Sequence, residues 1–199
     1  MRFLDALLGR SKPKQAKLDA LFALPSAAIT LEAGAAMRPA GQAAVCFKPA
    51  SGAGFATTSK ELGELLQLAV REAGSALRVE DDRYGYRWVV LSDPDLEDLV
   101  TGVHLVNTTL QEHGYGPQLL CSVFAFVDDA GQRCHLVYLF KRGTFYPFAP
   151  RGGERRDNEL ELRVRSVVGS DLPFEPELGR WFALWGLPLA ESGEPPARS

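Results

Sequence analysis

Cysteine, histidine and methionine are scarce in this chain of 199 residues, which holds three, three and two of them. Cys46, Cys121 and Cys134 are odd in number and sit in apolar runs without metal-ligand spacing. They imply thiols in a reducing compartment and argue against a disulfide framework or a zinc site. His104 and His113 fall about two and a half turns apart on one predicted helix, on opposite sides of it, and His135 sits in a predicted strand beside Phe124. A shared metal site among the three is therefore not expected. No GxSxG turn, HExxH helix or Gly-Lys-Ser/Thr phosphate loop occurs. The carboxylate pairs Asp81–Asp82 and Asp128–Asp129 lie in predicted turns, where turn chemistry accounts for them. No catalytic residue and no cofactor is assigned; the sequence reads as that of a non-enzyme, with an enzyme of unknown chemistry as an alternative.

Long hydrophobic runs are also lacking: none approaches the roughly 18–20 apolar residues of a membrane span. The opening residues MRFLDALLGR are broken by Asp5 and Gly9 and do not make a secretory signal. Net charge is small, −3 from 22 basic and 25 acidic residues, which argues against wholesale nucleic-acid binding. What remains is globular material, 46% hydrophobic, enough for one sizeable core.

Phe3, Leu4, Leu7 and Leu8 share one side of a short helix flanked by Arg10, Lys12 and Lys14. This is either a membrane-surface foot with apolar side chains in the headgroup boundary and cations on anionic lipid, or a helix docked on its own core. A second helical pattern around Leu18, Leu21 and Phe22 is expected to stop at Leu24, because Pro25 disfavours helix in its predecessor. Ser26 then caps another helix that runs as far as Met37. Residues 43–47 read as a short strand and 49–54 as a loop.

The spacing of Leu62, Leu65, Leu66, Ala69, Val70 and Ala73 predicts an amphipathic helix over 59–73. Residues 76–80 and 84–91 predict a hairpin, and Leu96, Leu99, Val100, Val103, Val106 and Leu110 the core stripe of a helix that Gly114 ends. A second hairpin joins 119–127 to 134–141 around Asp128–Gly131, with Val127 facing Gln132 and Phe124 beside His135. Asn158 caps a helix through Val168 with Glu159–Arg163 and Glu161–Arg165 ion pairs, in competition with a strand. Leu178, Trp181, Phe182 and Trp185 predict a terminal aromatic helix. The fold class is α+β: a mostly antiparallel sheet of two hairpins with helices packed on it. Domain boundaries are expected at 1–42 (helical region), 43–186 (α+β domain) and 187–199 (disordered tail).

The segment with most functional character is 141–158, KRGTFYPFAPRGGERRDN. Lys141, Arg142, Arg151, Arg155 and Arg156 are interleaved with Phe145, Tyr146 and Phe148. Arginine with aromatics is the composition of interface hot spots, and it also suits stacked bases and phosphates. In the bland alternative Phe145 and Phe148 pin a long connection to the core and the arginines are solvated. The partner-binding candidates are Arg151, Arg155, Arg156, Lys141, Arg142 and Tyr146.

The runs LDALFALPSAAITLEAG (18–34), VNTTLQEHGYGPQLLCSVFAF (106–126) and KRGTFYPFAPRGGERRDNELEL (141–162), with LLGRSKPKQ and RWFALWG near the two ends, resemble the PspA-associated proteins of the PspAB kind. The resemblance implies a cytoplasmic partner of phage shock protein A, a membrane-remodelling coiled-coil protein, in the envelope stress response. It implies a place at the inner membrane face and no catalytic residue. The order of elements from 59 to 168 also resembles the secretion-chaperone-like fold, an analogy of fold alone. The reading is a non-enzymatic adaptor for a PspA-like coiled coil, with possible contact to the membrane surface. The alternative is a nucleic-acid-binding regulator using the 141–158 segment.

Overall fold

The computed structural model describes residues 18–49, 63, 64, 67 and 75–189. Phe3, Leu4, Leu7, Leu8, Arg10, Lys12 and Lys14 lie outside them, as does the helix expected over 59–73 except for Gly63, Glu64 and Gln67, which are helical. Among the described residues the fold is α+β. Helices α1 (Leu24–Ala35), α2 (Leu96–Glu112) and α3 (Asn158–Val168) accompany strands β1 (Arg38–Phe47), β2 (Ala76–Asp81), β3 (Arg87–Ser92), β4 (Leu119–Val127), β5 (Arg133–Leu139) and β6 (Thr144–Phe148). A two-stranded ribbon, β7 (Pro150–Arg151) with β8 (Arg155–Arg156), stands apart.

The six strands form one antiparallel sheet in the order β2-β3-β1-β4-β5-β6. Side chains of a strand alternate between faces, and the two faces bury separate cores. On one, Ala43, Val45, Phe47, Val89, Leu91, Phe124, Phe126, Leu136 and Tyr138 meet the three helices. On the other, Ala44, Cys46, Trp88, Val90, Cys121, Val123, Ala125, Val137, Tyr146 and Phe148 meet Trp181 and Leu189. Among the described residues the second layer holds no α-helix. Only a 3-10 turn, Leu178–Arg180, forms where a terminal helix is expected, and residues 181–189 run as a strap across the sheet. Leu189 is buried, and Pro188 O accepts a hydrogen bond from Arg78, so the start of the expected tail is anchored; residues 190–199 lie outside the described set.

The first helix corrects the expectation of a break at Leu24. A 3-10 segment, Leu18–Ala23, runs directly into α1, with Pro25 in its first turn, where a missing N–H costs no hydrogen bond. The run Leu18–Ala35 has 18 residues and a mean hydropathy of 1.3, long and apolar enough to cross a membrane where no such run is expected. Its stripe of Leu21, Leu24, Ala27 and Leu31 is buried in the core. The helix ends at Ala36 in left-handed geometry, two residues before β1 begins, so β1 is twice the expected strand and crosses the expected domain boundary at 42/43.

All six stripe residues of α2 are buried, each contributing up to about 1.5–3 kcal/mol. Asp95 caps the helix by accepting from Glu97 N at 2.7 Å. In α3 the cap is Asp157 rather than Asn158: its Oδ1 accepts from Leu160 N at 3.1 Å. Glu161 pairs with Arg156, not with Arg165, and the Arg165 guanidinium lies over the Trp181 ring.

The β4–β5 hairpin forms where expected, one residue out of the expected register. Val127 faces Arg133, Phe126 faces Cys134 and Phe124 faces Leu136. Asp128 N donates to Gln132 O, Asp128 Oδ1 accepts from Gln132 N, and Gly131 sits at φ 80°. This is the three-residue loop in which a left-handed glycine follows a turn, and it moves the pairing by one. A slip of one exchanges the faces: Cys134, Leu136 and Tyr138 join Phe124 and Phe126, while His135 stacks on Phe148 at 6.2 Å instead of Phe124.

Candidate functional site

The 141–158 segment is not a long connection. After a tight turn in which Gly143 N donates to Leu139 O, it forms edge strand β6, then the β7–β8 ribbon. Phe145 and Phe148 are buried on opposite faces of the sheet, which is the pinning role. Tyr146 is also buried, under the strap, where its hydroxyl donates to Phe182 O at 3.0 Å and burial pushes its pKa up. It is thus not presented to a surface partner.

Three of the five cations are drawn to buried carboxylates. Arg142 and Thr144 both donate to Glu175, which is fully buried. Arg151 donates to Asp157 Oδ2 from Nε at 3.0 Å and from Nη2 at 2.5 Å, and Gln132 donates to the same oxygen. Arg156 donates to Glu161 Oε1 at 2.9 Å and to Trp181 O, and lies over the Phe148 ring. Ala149 N completes the Glu161 oxygen at 2.9 Å. Burial would raise the Asp157 carboxyl, but the Leu160 N–H, Arg151 and Gln132 outweigh it and hold it below its ordinary value. At Glu175, burial is likewise outweighed by Arg142, Glu177 N–H and Thr144. Arg155 and Lys141 are exposed, and the Arg155 Nε donates to Gly152 O. The sequence contains these acids, but Glu161 and Glu175 lie outside the segment, so its composition alone overstates the positive surface.

The more enclosed feature is on the strap side of the sheet. Cys46, Cys121, Tyr86, Trp88, Tyr146 and Trp185 are among the residues that line a mainly apolar cavity of about 470 Å³ between the sheet and residues 182–185. A second cavity of about 520 Å³ adjoins it through the shared Asp82, Tyr84, Trp88 and Trp185, and opens between Glu80, Asp81, Arg83 and Glu154. Asp82 is the hinge of this wall: its carboxylate accepts from Tyr84 N, Tyr86 N and Trp88 Nε1. Arg83 reaches Glu154 on the β7–β8 turn at 3.0 Å, an exposed pair of little energetic weight. Such a cavity, apolar with a few oriented polar atoms, has the character of a binding site.

The histidines stay apart. The His104 ring packs tilted against Phe22 with centroids 5.1 Å apart, and His113 Nδ1 meets Thr109 O at 2.8 Å. His135 is buried, and among the described residues its Nδ1 has no hydrogen-bond partner. Among the described residues no group of His, Cys, Asp and Glu could hold a metal ion.

Fold and site together define an α+β domain with helices on one face and a strapped apolar cavity on the other. The chain belongs to the PspA associated protein B family (PspAB), whose sequence model matches residues 1–189. That membership links it to PspA. The chain matches no curated protein and no solved structure.

Proposed function

We propose that this protein is a non-enzymatic adaptor that binds a PspA-type coiled coil at the cytoplasmic face of the membrane, within a cell-envelope stress response. The observation that carries the reading is the outer face of the first helix. Phe22, Ser26, Ile29 and Ala33 succeed one another there and are all exposed, Phe22 by 50% and Ile29 by 73%. Their spacing of four, three and four makes one stripe, and two large apolar side chains alternating with two small residues suit a facing helix. Family membership supports PspA as the source of that helix. Lys141 and Arg155, exposed and not engaged by the buried acids, would add electrostatic attraction, which acts on association rate more than on affinity. The apolar residues Phe3, Leu4, Leu7 and Leu8, with Arg10, Lys12 and Lys14, would add a weak membrane foot.

Co-purification with the PspA-type protein tests this directly. The pair Phe22→Glu and Ile29→Glu changes exposed side chains and should abolish association while leaving the thermal melt close to the parent. Lys141→Glu with Arg155→Glu should weaken it in a salt-dependent way. Full association of the first pair removes the helix face from the proposal. Flotation of the full chain with anionic liposomes, compared with a chain lacking residues 1–12, tests the foot. Engagement of Arg142, Arg151 and Arg156 by buried acids weighs against the nucleic-acid reading, which needs several unopposed cations.

A further inference from the structure

Cys46 and Cys121 face each other directly across the β1–β4 ladder. Both are thiols and both belong to the strap-side core. Directly paired residues of antiparallel strands have Cα atoms about 4.5 or 5.5 Å apart, inside the window of about 4.4–6.8 Å that a disulfide accepts. The row continues through Trp88, paired with Cys46, and Leu139, paired with Cys121. Both cysteines line the apolar cavity beneath residues 182–185, which gives a small neutral molecule a route to otherwise buried sulfurs. Cys134, buried on the helix face, has no such neighbour across its ladder, where it meets Phe126.

We propose that Cys46 and Cys121 form an oxidisable dithiol that a neutral organic hydroperoxide, entering the strap-side cavity, closes into a cross-strand disulfide. The Cys46 thiol hydrogen-bonds to Cys121, and this bond, with burial, pushes the Cys46 pKa up. Cys121, the more exposed of the two at 6% against 3%, is the attacking sulfur. The Cys121 sulfur attacks the terminal peroxide oxygen and the O–O bond breaks. The alkoxide leaves, takes the proton that the Cys121 thiol gives up and becomes the alcohol, and Cys121 becomes a sulfenic acid. The Cys46 sulfur then attacks the Cys121 sulfur, and the S–O bond breaks. The departing hydroxide takes the Cys46 proton and becomes water. In total, two thiols and one hydroperoxide give one disulfide, one alcohol and one water, with two electrons passing from sulfur to oxygen. The aromatic walls favour an apolar substituent on the peroxide, and the Asp82 carboxylate at the cavity disfavours anionic oxidants.

The full chain is treated with cumene hydroperoxide, hydrogen peroxide or anionic peroxymonosulfate, each at a concentration that oxidises glutathione at the same rate, alkylated, and mapped without reduction by mass spectrometry. The expected result is a Cys46–Cys121 linked peptide that forms fastest with cumene hydroperoxide and disappears with dithiothreitol. Tryptophan emission should fall in step, because a disulfide beside Trp88 quenches the excited indole. Cys134→Ser should leave the link intact. Cys46→Ala should stop at a sulfenic acid on Cys121 that dimedone traps. Mapping of the unsubstituted chain decides the matter even where a variant folds poorly. Links only through Cys134, links only between chains, or a Cys121 driven to sulfinic acid without any link would overturn the proposal. Equal or faster linking by peroxymonosulfate would overturn the assigned oxidant class.

Discussion

Arg156 and Glu161 face each other where β8 turns into α3, guanidinium Nε to carboxylate Oε1 at 2.9 Å, with the Glu161 side chain 3% exposed. The same arginine reaches Trp181 O in the strap, so one side chain ties the edge ribbon, the helix start and the strap. Removing one member of a buried pair leaves the other charge uncompensated. Arg156→Ala is expected to cost about 3–5 kcal/mol in urea unfolding, against less than about 0.5 kcal/mol for Arg155→Ala. Equal, small costs for both would mean that the pair is not structural.

Glu175 holds the other end of the strap. Its side chain accepts from Arg142 and Thr144, its backbone carbonyl accepts from Trp181 Nε1 at 3.0 Å, and its N–H donates to Phe145 O at 2.7 Å. Glu175→Gln keeps the shape and removes the charge, and should cost about 1–3 kcal/mol with a red shift of tryptophan emission. Because the folded carboxyl is held below its ordinary value, its contribution is present above the unfolded pKa and lost as pH falls through the folded one. The parent, not the variant, should therefore lose this increment in acid.

His135 adds a second acid-sensitive term with a different window. Burial first, and then the nearby Arg133 charge, lower its pKa from 6.5 to about 3. The unfolded chain binds a proton below about 6.5 that the folded chain refuses until about pH 3. Stability must fall as pH drops through this interval, by at most about 1.4 kcal/mol per unit. Urea unfolding between pH 7 and 5 should show this slope in the parent, and His135→Gln should flatten it. An unchanged slope in the variant would assign the pH dependence elsewhere.

Gly34 is where α1 meets α3. A Cβ built there would stand 2.8 Å from Val167 Cγ1 and 3.1 Å from Cγ2, and valine is too stiff at χ1 to move aside. Gly34→Ala is expected to bring no stabilisation, although alanine is worth about 1 kcal/mol over glycine in a helix. In a Val167→Ala background the same change should stabilise by about that amount. Additive behaviour of the two substitutions would contradict the close approach.

Legibility followed the range of the interactions. The α2 stripe from Leu96 to Leu110 could be read because side chains at helical spacing share a face whatever surrounds them. The two hairpins were legible from alternation and turn residues for the same local reason. Pro25 misled because its effect depends on whether it falls inside a helix or in the first turn, and the preceding 3-10 segment decides that. The aromatics at Trp181, Phe182 and Trp185 suggested a helix by spacing, yet they form a strap because the second face of the sheet offers Tyr146 for Trp181 to stack on and Phe148 for Trp185 to meet edge to face.

The basic segment marks the same boundary. Phe145 and Phe148 announced themselves as pins by being aromatic, whereas the fate of Arg142 and Arg156 was set by Glu175 and Glu161, acids that the fold alone carries to them. The sequence by itself determined the α+β class, the long amphipathic helix, the hairpins and the family resemblance, since each rests on residues near in the chain. The tertiary structure decided which cations are neutralised, which face each cysteine joins and that Cys46 stands opposite Cys121, because strand order and register arise from packing between distant segments.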